Sequence, residues 1–487
     1  MHPAWPEVAV SSVLFALSRV DSLGVLAGFR QGFYDSLYVR EDALFELVDA
    51  LLGTAGPVRT LVELCLAAEH RRGHGGMYAA LNRGDLEPAR LRRVLAGTPL
   101  PTSRDGRITL AVDVSNWLRP DAATSMDRLF CHTYGRGRSN DQFIPGWPYS
   151  FVAALETGPT SWTALLDAFR LTPGDDATEV TAEQLRQIVS ALIEAGHWGE
   201  GDPRIVVVAD AGYDVARLAY LLADLPVLMV ARVRSDRVYR RQAAPDPLGK
   251  AGRPTRHGPK FRLGEKETRP GPDINAQAST HRYGKADIQA WHQLHPALTH
   301  RSGWIGHDGE LPIMSGTVIR LEVEHLPGHR DPDPVWLWCA DPDAGQDLVA
   351  VCWTMYLRRF DLEHTFRFLK QTLGWTRPKL RDPAAADRWT WLVIAAHTQL
   401  RLARPLAADL RRPWEKPLQP DRLTPARVRR GFRNIRADLP ELARAPQPSR
   451  PGPGRPAGSR NKTKAPVRDV GKTEKRARTL EEHYARS

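Results

Sequence analysis

The 487-residue chain has four cysteines and sixteen histidines. Cys65, Cys131, Cys339 and Cys352 make no CxxC pair, and the histidines make no HExxH, so the patterns of a zinc site and of a disulfide framework are both missing. No run is apolar enough to span a bilayer, which takes about 20 residues. The most apolar stretch, beginning at Trp389 (WTWLVIAAHTQL), is too short and too polar at its ends, and reads as a buried core helix. The start, MHPAWPEVAVSSVLFALSRV, lacks the basic opening and clear cleavage site of a secretory leader. Scarce cysteine without disulfide spacing fits reduced thiols, and the expectation is a cytoplasmic protein with no membrane partner. There is no internal repeat.

Negative charge is also in short supply. Lys and Arg number 68 against 56 Asp and Glu, a net +12, and the pI near 9.7 favours a polyanionic partner. The excess is uneven: from Ala445 to Ser487 eleven basic residues face four acidic ones. The core of that segment, PSRPGPGRPAGSRNKTK, is too rich in Pro, Gly and Ser to bury a core and is expected to be disordered alone. Gly454-Arg455-Pro456 resembles the centre of an AT-hook, an arm whose arginine enters a narrow minor groove. The plain alternative is a solvated, solubilising tail.

What is present is concentrated in MYLRRFDLEHTFRFLK. At 100° per residue Tyr356, Arg359, Glu363 and Lys370 fall at roughly 0°, 300°, 340° and 320°, within one stripe of a helix. Leu362, Phe366, Leu369 and Leu373 form the adjoining apolar stripe, which puts the polar stripe at the rim of a core. Taken alone, Arg359 and Glu363 would be an ordinary surface ion pair worth a few tenths of a kcal/mol.

Two aspartates give the stripe company. RITLAVDV carries Asp113 and RIVVVAD ends in Asp210, followed by Ala-Gly-Tyr. Both runs read as strands buried on both faces, with the aspartates at strand ends, where functional groups of open sheets collect. Singly, each is more often a turn residue or helix cap.

With Asp113, Asp210-Ala-Gly-Tyr213, Tyr356, Arg359, Glu363 and Lys370 in this order and spacing, the chain resembles the DDE transposases of bacterial insertion sequences, in the branch carrying a Tyr-Arg-Glu-Lys signature. The likeness covers about residues 100 to 405, and CHTYGRGRSNDQFIPGWPYSFVAAL looks like the family's segment after the first aspartate. The resemblance implies an α/β, ribonuclease-H-like mixed sheet with flanking helices. It implies that Asp113, Asp210 and Glu363 are catalytic and hold two Mg2+ ions, for which Mn2+ may substitute. Two such ions activate the attacking oxygen and stabilise the leaving one, and hard oxygen ligands suit magnesium. Tyr356, Arg359 and Lys370 would grip DNA, as would Arg455. The competing use of Tyr356 as a covalent nucleophile, as in tyrosine recombinases, is disfavoured by the neighbouring carboxylates.

The expected organisation has five parts. Residues 1–98 form a helical N-terminal domain, for DNA-end binding or as a cap, with helical spacing in EDALFELVDALLG, stopping near Gly53, and in PVRTLVELCLAAEHRR. Residues 105–235 begin the catalytic core. The long interval from Asp210 to Glu363 implies an insertion, 236–345, β-rich with basic loops, where Trp291, Trp304, Trp336 and Trp338 are candidates to stack on a displaced base. Residues 346–412 complete the core with the Glu363 helix, and 413–487 form a basic, largely disordered tail. The expected function is metal-dependent cleavage and strand transfer of insertion-sequence ends, on the nucleoid, by a homodimer that brings two ends together. A ribonuclease-H-like nuclease without strand transfer and a catalytically dead DNA-binding descendant are the alternatives. A paired-carboxylate glycosidase is more distant, since it would leave Lys370 and the basic tail without purpose.

Overall fold

The computed structural model describes residues 13–103, 105–133, 142–156, 158, 160–244, 255–280, 282–325, 332–447, 458–459 and 463–472. Gly454-Arg455-Pro456 lies outside the described residues. The helices of the first hundred residues are α1 (Arg19–Asp35), α2 (Glu41–Gly53), α3 (Leu61–Leu64), α4 (His74–Arg83) and α5 (Pro88–Ala96), with a small ribbon of β1 (Leu37–Val39) and β2 (Asp85–Leu86). The helix α2 ends at Gly53 as its spacing predicts. PVRTLVELCLAAEHRR does not form a long helix: only Leu61–Leu64 is helical, and Leu66 points into solvent.

The sheet follows from runs of Val, Ile, Leu and Ala. Its strands are β3 (Thr109–Leu118), β4 (Leu129–Thr133), β5 (Gln142–Leu155), β6 (Thr163–Arg170), β7 (Ile205–Ala209), β8 (Val227–Val233), β9 (Val238–Gln242), β10 (His257–Arg262), β11 (Ile274–Thr280), β12 (Gly284–Pro296), β13 (Gly316–Val323) and β14 (Val335–Cys339). Strand order is β10-β9-β12-β13-β14-β8-β7-β3-β5-β4, with β11 on β12 and β6 on β5. The central strand β7 pairs in parallel with both β3 and β8, and every residue of it is buried, as a strand covered on both faces requires. The strands of the expected insertion continue this same sheet, because β14 pairs with β8, Trp336 opposite Val233.

Two layers cover the sheet. On one face lie α6 (Ala177–Glu194), whose N-cap Asp176 accepts from the amides of Thr178 and Glu179, and α7 (Val215–Leu221), capped by Asp214. On the other lie α8 (Gln346–Arg358), α9 (Phe360–Gln371) and α10 (Pro383–Leu402). As its composition predicts, α10 is buried nearly all round. It packs on β6 and also on α1, α2, α4 and α11 (Pro425–Arg436), and so joins the helical layer to the sheet. The presence of α11 corrects the expectation of a disordered segment beginning at 413. Val428, Phe432 and Ile435 of α11 are buried, and Arg429 donates to the Leu51 carbonyl of α2 at 2.7 Å.

The four tryptophans named as stacking platforms are buried. The rings of Trp291 and Trp336 lie 5.9 Å apart, and the Trp338 indole donates to the Leu294 carbonyl at 3.2 Å. Trp291, Trp336 and Trp338 pack the sheet, while Trp304, in the turn Ser302–Trp304, packs against Tyr220 and His307; the interior is where large aromatics more often go.

A buried charged knot ties the loop after β5 to the end of α10. Glu156, just after β5, accepts from Arg404 at 2.6 Å and from Arg401 at 3.3 Å. Removing one member of such a group strands the others. Glu156→Ala is therefore expected to lower unfolding free energy by about 3–5 kcal/mol, measured by urea denaturation.

Candidate active site

Strand register brings the first two carboxylates together. In the parallel pair β3–β7, Ala111 lies opposite Val208, so two residues on, Asp113 and Asp210 stand side by side on one face. Asp210 follows the end of β7, as its position after RIVVVA predicts. Asp113 does not end its strand: β3 runs on to Leu118, paired with β5, because Ser115 and Trp117 are buried on the face that Asp113 shares.

Glu363 arrives from above. Phe151 is the register partner of Asp113, and its ring packs against Phe366 at 5.1 Å and Trp375 at 5.2 Å. Phe366 is three residues along α9 from Glu363, so the contact that seats the helix also places its carboxylate over the aspartates. Thr365 and Thr163 share a hydrogen bond at 2.9 Å that fixes α9 on β6.

The stripe is not on one continuous helix, a correction to the sequence reading. The helix breaks at Arg359: α8 carries Tyr356, α9 carries Glu363 and Lys370, and Leu362 N–H bonds the Arg359 carbonyl, three residues back. Arg358 is the physical reason we identify. Its guanidinium clasps the carbonyls of Glu156, Gly158 and Thr160 at 2.7–2.9 Å and pairs with Asp361 at 2.6 Å, which anchors the junction to the loop after β5. The four residues still converge despite the break.

Arg359 is the centre of the site. Its Nη1 donates to Asp113 at 2.7 Å, and its Nη2 lies 3.3 Å from Glu363 and 3.6 Å from Asp210. Its side chain is only 5 % exposed, against 20 % for Asp113, 38 % for Asp210 and 44 % for Glu363. The site thus grades from a deep aspartate to a carboxylate at the mouth. Burial pushes the Asp113 carboxyl up to about 6, although Arg359 and the Val114 amide, at 2.8 Å, favour its charged form. Burial works against the Arg359 charge, but Asp113 and Asp210 outweigh it and raise its pKa.

The remaining signature residues frame the carboxylates. Tyr356 is buried below the Arg359 guanidinium, 5.9 Å from its ring centroid, and burial raises its hydroxyl pKa, helped by the Asp210 charge. Lys370 is half-buried with Nζ 5.7 Å over the Trp375 ring; burial lowers its pKa and the Asp113 charge partly restores it. Burial likewise pushes the Tyr213 hydroxyl up, with Asp113 as the next cause.

One nearby cation escaped the sequence reading. Ala209 of β7 lies opposite Ala231 of β8, so Arg232 stands beside Asp210 in the same row across the sheet. It is exposed, acts on the Tyr356 hydroxyl, and has no ion pair among the described residues. Only strand register reveals it, since VLMVARV contains no motif.

The donors are chemically suited to a hard divalent cation: three carboxylates with no sulfur or imidazole, and a buried Asp210 Oδ1 that has no hydrogen-bond partner. As arranged, no group of three His, Cys, Asp or Glu among the described residues closes around an ion, because the guanidinium stands between them.

The α/β fold, with its large mixed sheet and acidic residues converging beside the central strand, fits a ribonuclease-H-like DDE domain. The family described as DDE superfamily endonuclease matches residues 32–297, more than half of the chain, and the protein belongs to that family. The matched segment contains Asp113 and Asp210 and stops short of Glu363. No curated protein matches the chain. Membership implies DNA as substrate, nuclease or transposase activity, and use of divalent metal. No helix among the described residues is long and apolar enough to cross a membrane.

Protonated Asp113 is a poor metal ligand, so metal affinity should fall below the pH at which it titrates. Mn2+ affinity is expected to be level above about pH 6 and to drop about tenfold per unit below it, one proton displacing one ligand. Calorimetric titration between pH 5 and 8 measures this.

Proposed function

We propose that the protein is a DNA transposase of the Tyr-Arg-Glu-Lys branch, which binds the ends of its own element, cleaves there, and joins the freed ends to target DNA. The observation that carries the reading is the convergence of Asp113, Asp210 and Glu363, from β3, the end of β7 and α9, on one guanidinium. Asp113, Asp210 and Glu363 would hold two Mg2+ ions, with Mn2+ as substitute. Bound there, the ions supply a deprotonated attacking oxygen and charge stabilisation for the leaving one.

The chain's own residues do the rest. Lys370 and Arg232 flank the carboxylates as cations, and each is suited to a DNA phosphate, Lys as a point charge and Arg as a planar fork. The Tyr356 hydroxyl, whose pKa burial raises further above neutral, would serve as a hydrogen-bond donor to phosphate. Arg455 would add a minor-groove contact from the tail, and a homodimer on the nucleoid would hold two ends in one complex.

The deciding experiment incubates purified protein with Mg2+ and DNA carrying the repeats that flank the gene, beside Glu363→Gln. Joined products that vanish in the variant are expected; cut but unjoined products would instead favour a nuclease. Asp210→Asn should abolish cleavage while leaving DNA binding within about twofold, because it removes one metal ligand and little phosphate contact. Gel-shift and cleavage assays on one preparation separate the two effects. For Lys370→Ala and Arg232→Ala, weaker DNA binding and a salt slope shallower by about one are expected, read by fluorescence anisotropy across a salt series.

A further inference from the structure

We propose that Arg359 and divalent metal compete for the same three carboxylates, so that DNA opens the site to metal by offering Arg359 a phosphate instead. The inference rests on the metal and DNA reading above.

One guanidinium engages Asp113 at 2.7 Å and faces Glu363 at 3.3 Å and Asp210 at 3.6 Å. Every carboxylate an ion would need is already turned toward this cation. A guanidinium cannot shed its proton in order to leave; it carries its charge wherever it goes. Its flanks are the Tyr356 and Phe360 rings, 5.9 and 5.7 Å from its carbon, which offer no second anion. Its Nε is already buried without a partner. An ion entering this site therefore meets a fixed positive charge a few ångströms away, and taking the carboxylates would strand a buried arginine, which is costly.

A phosphodiester resolves both difficulties. The planar fork that suits a carboxylate also suits a phosphate, and a shift of Arg359 onto DNA would free the carboxylate oxygens together. Arg359 keeps helical backbone angles, with its N–H donating to the carbonyls of Met355 and Tyr356, so the shift is a change of side-chain rotamer. Metal and DNA then bind cooperatively, each strengthening the other by the same factor, and the reactive centre assembles only once DNA is seated.

The test is Mn2+ affinity of the full chain, read by electron paramagnetic resonance of free Mn2+, for wild type, Arg359→Gln and Arg359→Lys, each alone and in an Asp210→Asn background. Without DNA, Arg359→Gln is expected to bind Mn2+ at least about tenfold more tightly than wild type, with Arg359→Lys between them. DNA carrying the flanking repeats should tighten Mn2+ binding by wild type and leave Arg359→Gln nearly unchanged. Asp210-dependent binding that is no tighter in Arg359→Gln would overturn the competition and leave the metal reading standing. No Asp210-dependent binding in any protein would overturn both. Should Arg359→Gln fail to fold, Arg359→Lys carries the test through its melting temperature, which Mn2+ should raise more than it raises that of wild type; an equal rise overturns the proposal.

Discussion

Three carboxylates brought to one place repel one another, and a fold that gathers them has to answer that repulsion. Here the answer is Arg359, whose single guanidinium faces Asp113, Asp210 and Glu363 within 2.7–3.6 Å. One cation serves three acids. Burial pushes the Asp113 carboxyl up, against the pull of the Arg359 charge. Glu363, at the mouth, shares the same guanidinium but keeps contact with water.

The pairing depends on distant parts of the molecule, because Arg359 is placed by what holds its two helices. Arg358, the neighbouring residue, is tied to three carbonyls of the loop after β5. That loop begins at Glu156, which accepts from Arg401 and Arg404 at the end of α10. The long helix α10 is in turn bound to the first helices through Gln399, which accepts from Arg30 at 2.6 Å, while Arg30 pairs with Asp49 of α2 at 2.6 Å. Asp49 also receives Arg436 of α11 at 2.9 Å. A line of buried arginines thus runs from the N-terminal helices to the site. Each spends its charge on carbonyls or carboxylates of another segment, so much of the positive charge serves packing.

Much of the site was legible in the sequence because its residues sit at positions that local chemistry marks. The all-apolar run before Asp210 can only be an inner strand, and the i, i+4 spacing of Arg359 and Glu363 survives the helix break because both lie within one turn of it. What was not legible came from tertiary contacts. No proline or glycine marks the break at Arg359; carbonyls some two hundred residues earlier in the chain hold it open. Strand β3 outruns Asp113 because Ser115 and Trp117 find a buried partner face on β5, which the run RITLAVDV gives no hint of. Of the tryptophans that were candidates to stack on a base, Trp291, Trp336 and Trp338 are core because their strands join the main sheet, a pairing that isolated aromatics do not announce. In α11, five arginines disguised a folded segment as tail, since their acidic partners Asp49, Glu69, Asp409 and Glu415 lie elsewhere in the chain.

The depth gradient across the triad gives the site a direction. Asp113 lies mid-strand beneath α9, Asp210 at a strand end, and Glu363 on the exposed side of a helix that is held from below by Phe366 and Thr365. Exposure falls from Glu363 through Asp210 to Asp113, and Arg359 lies deepest of the four. Two cations flank the carboxylates: Arg232 one strand beyond Asp210, and Lys370 two turns along α9 from Glu363. Lys370 is held against Trp375, part of the aromatic cluster that supports Phe151 and hence Asp113. Lys370 therefore rests on the same packed group that positions the deepest carboxylate. The acids are positioned from beneath by that packing, and the space between them is closed by the guanidinium of Arg359, so the repulsion among the three is answered from within the site itself.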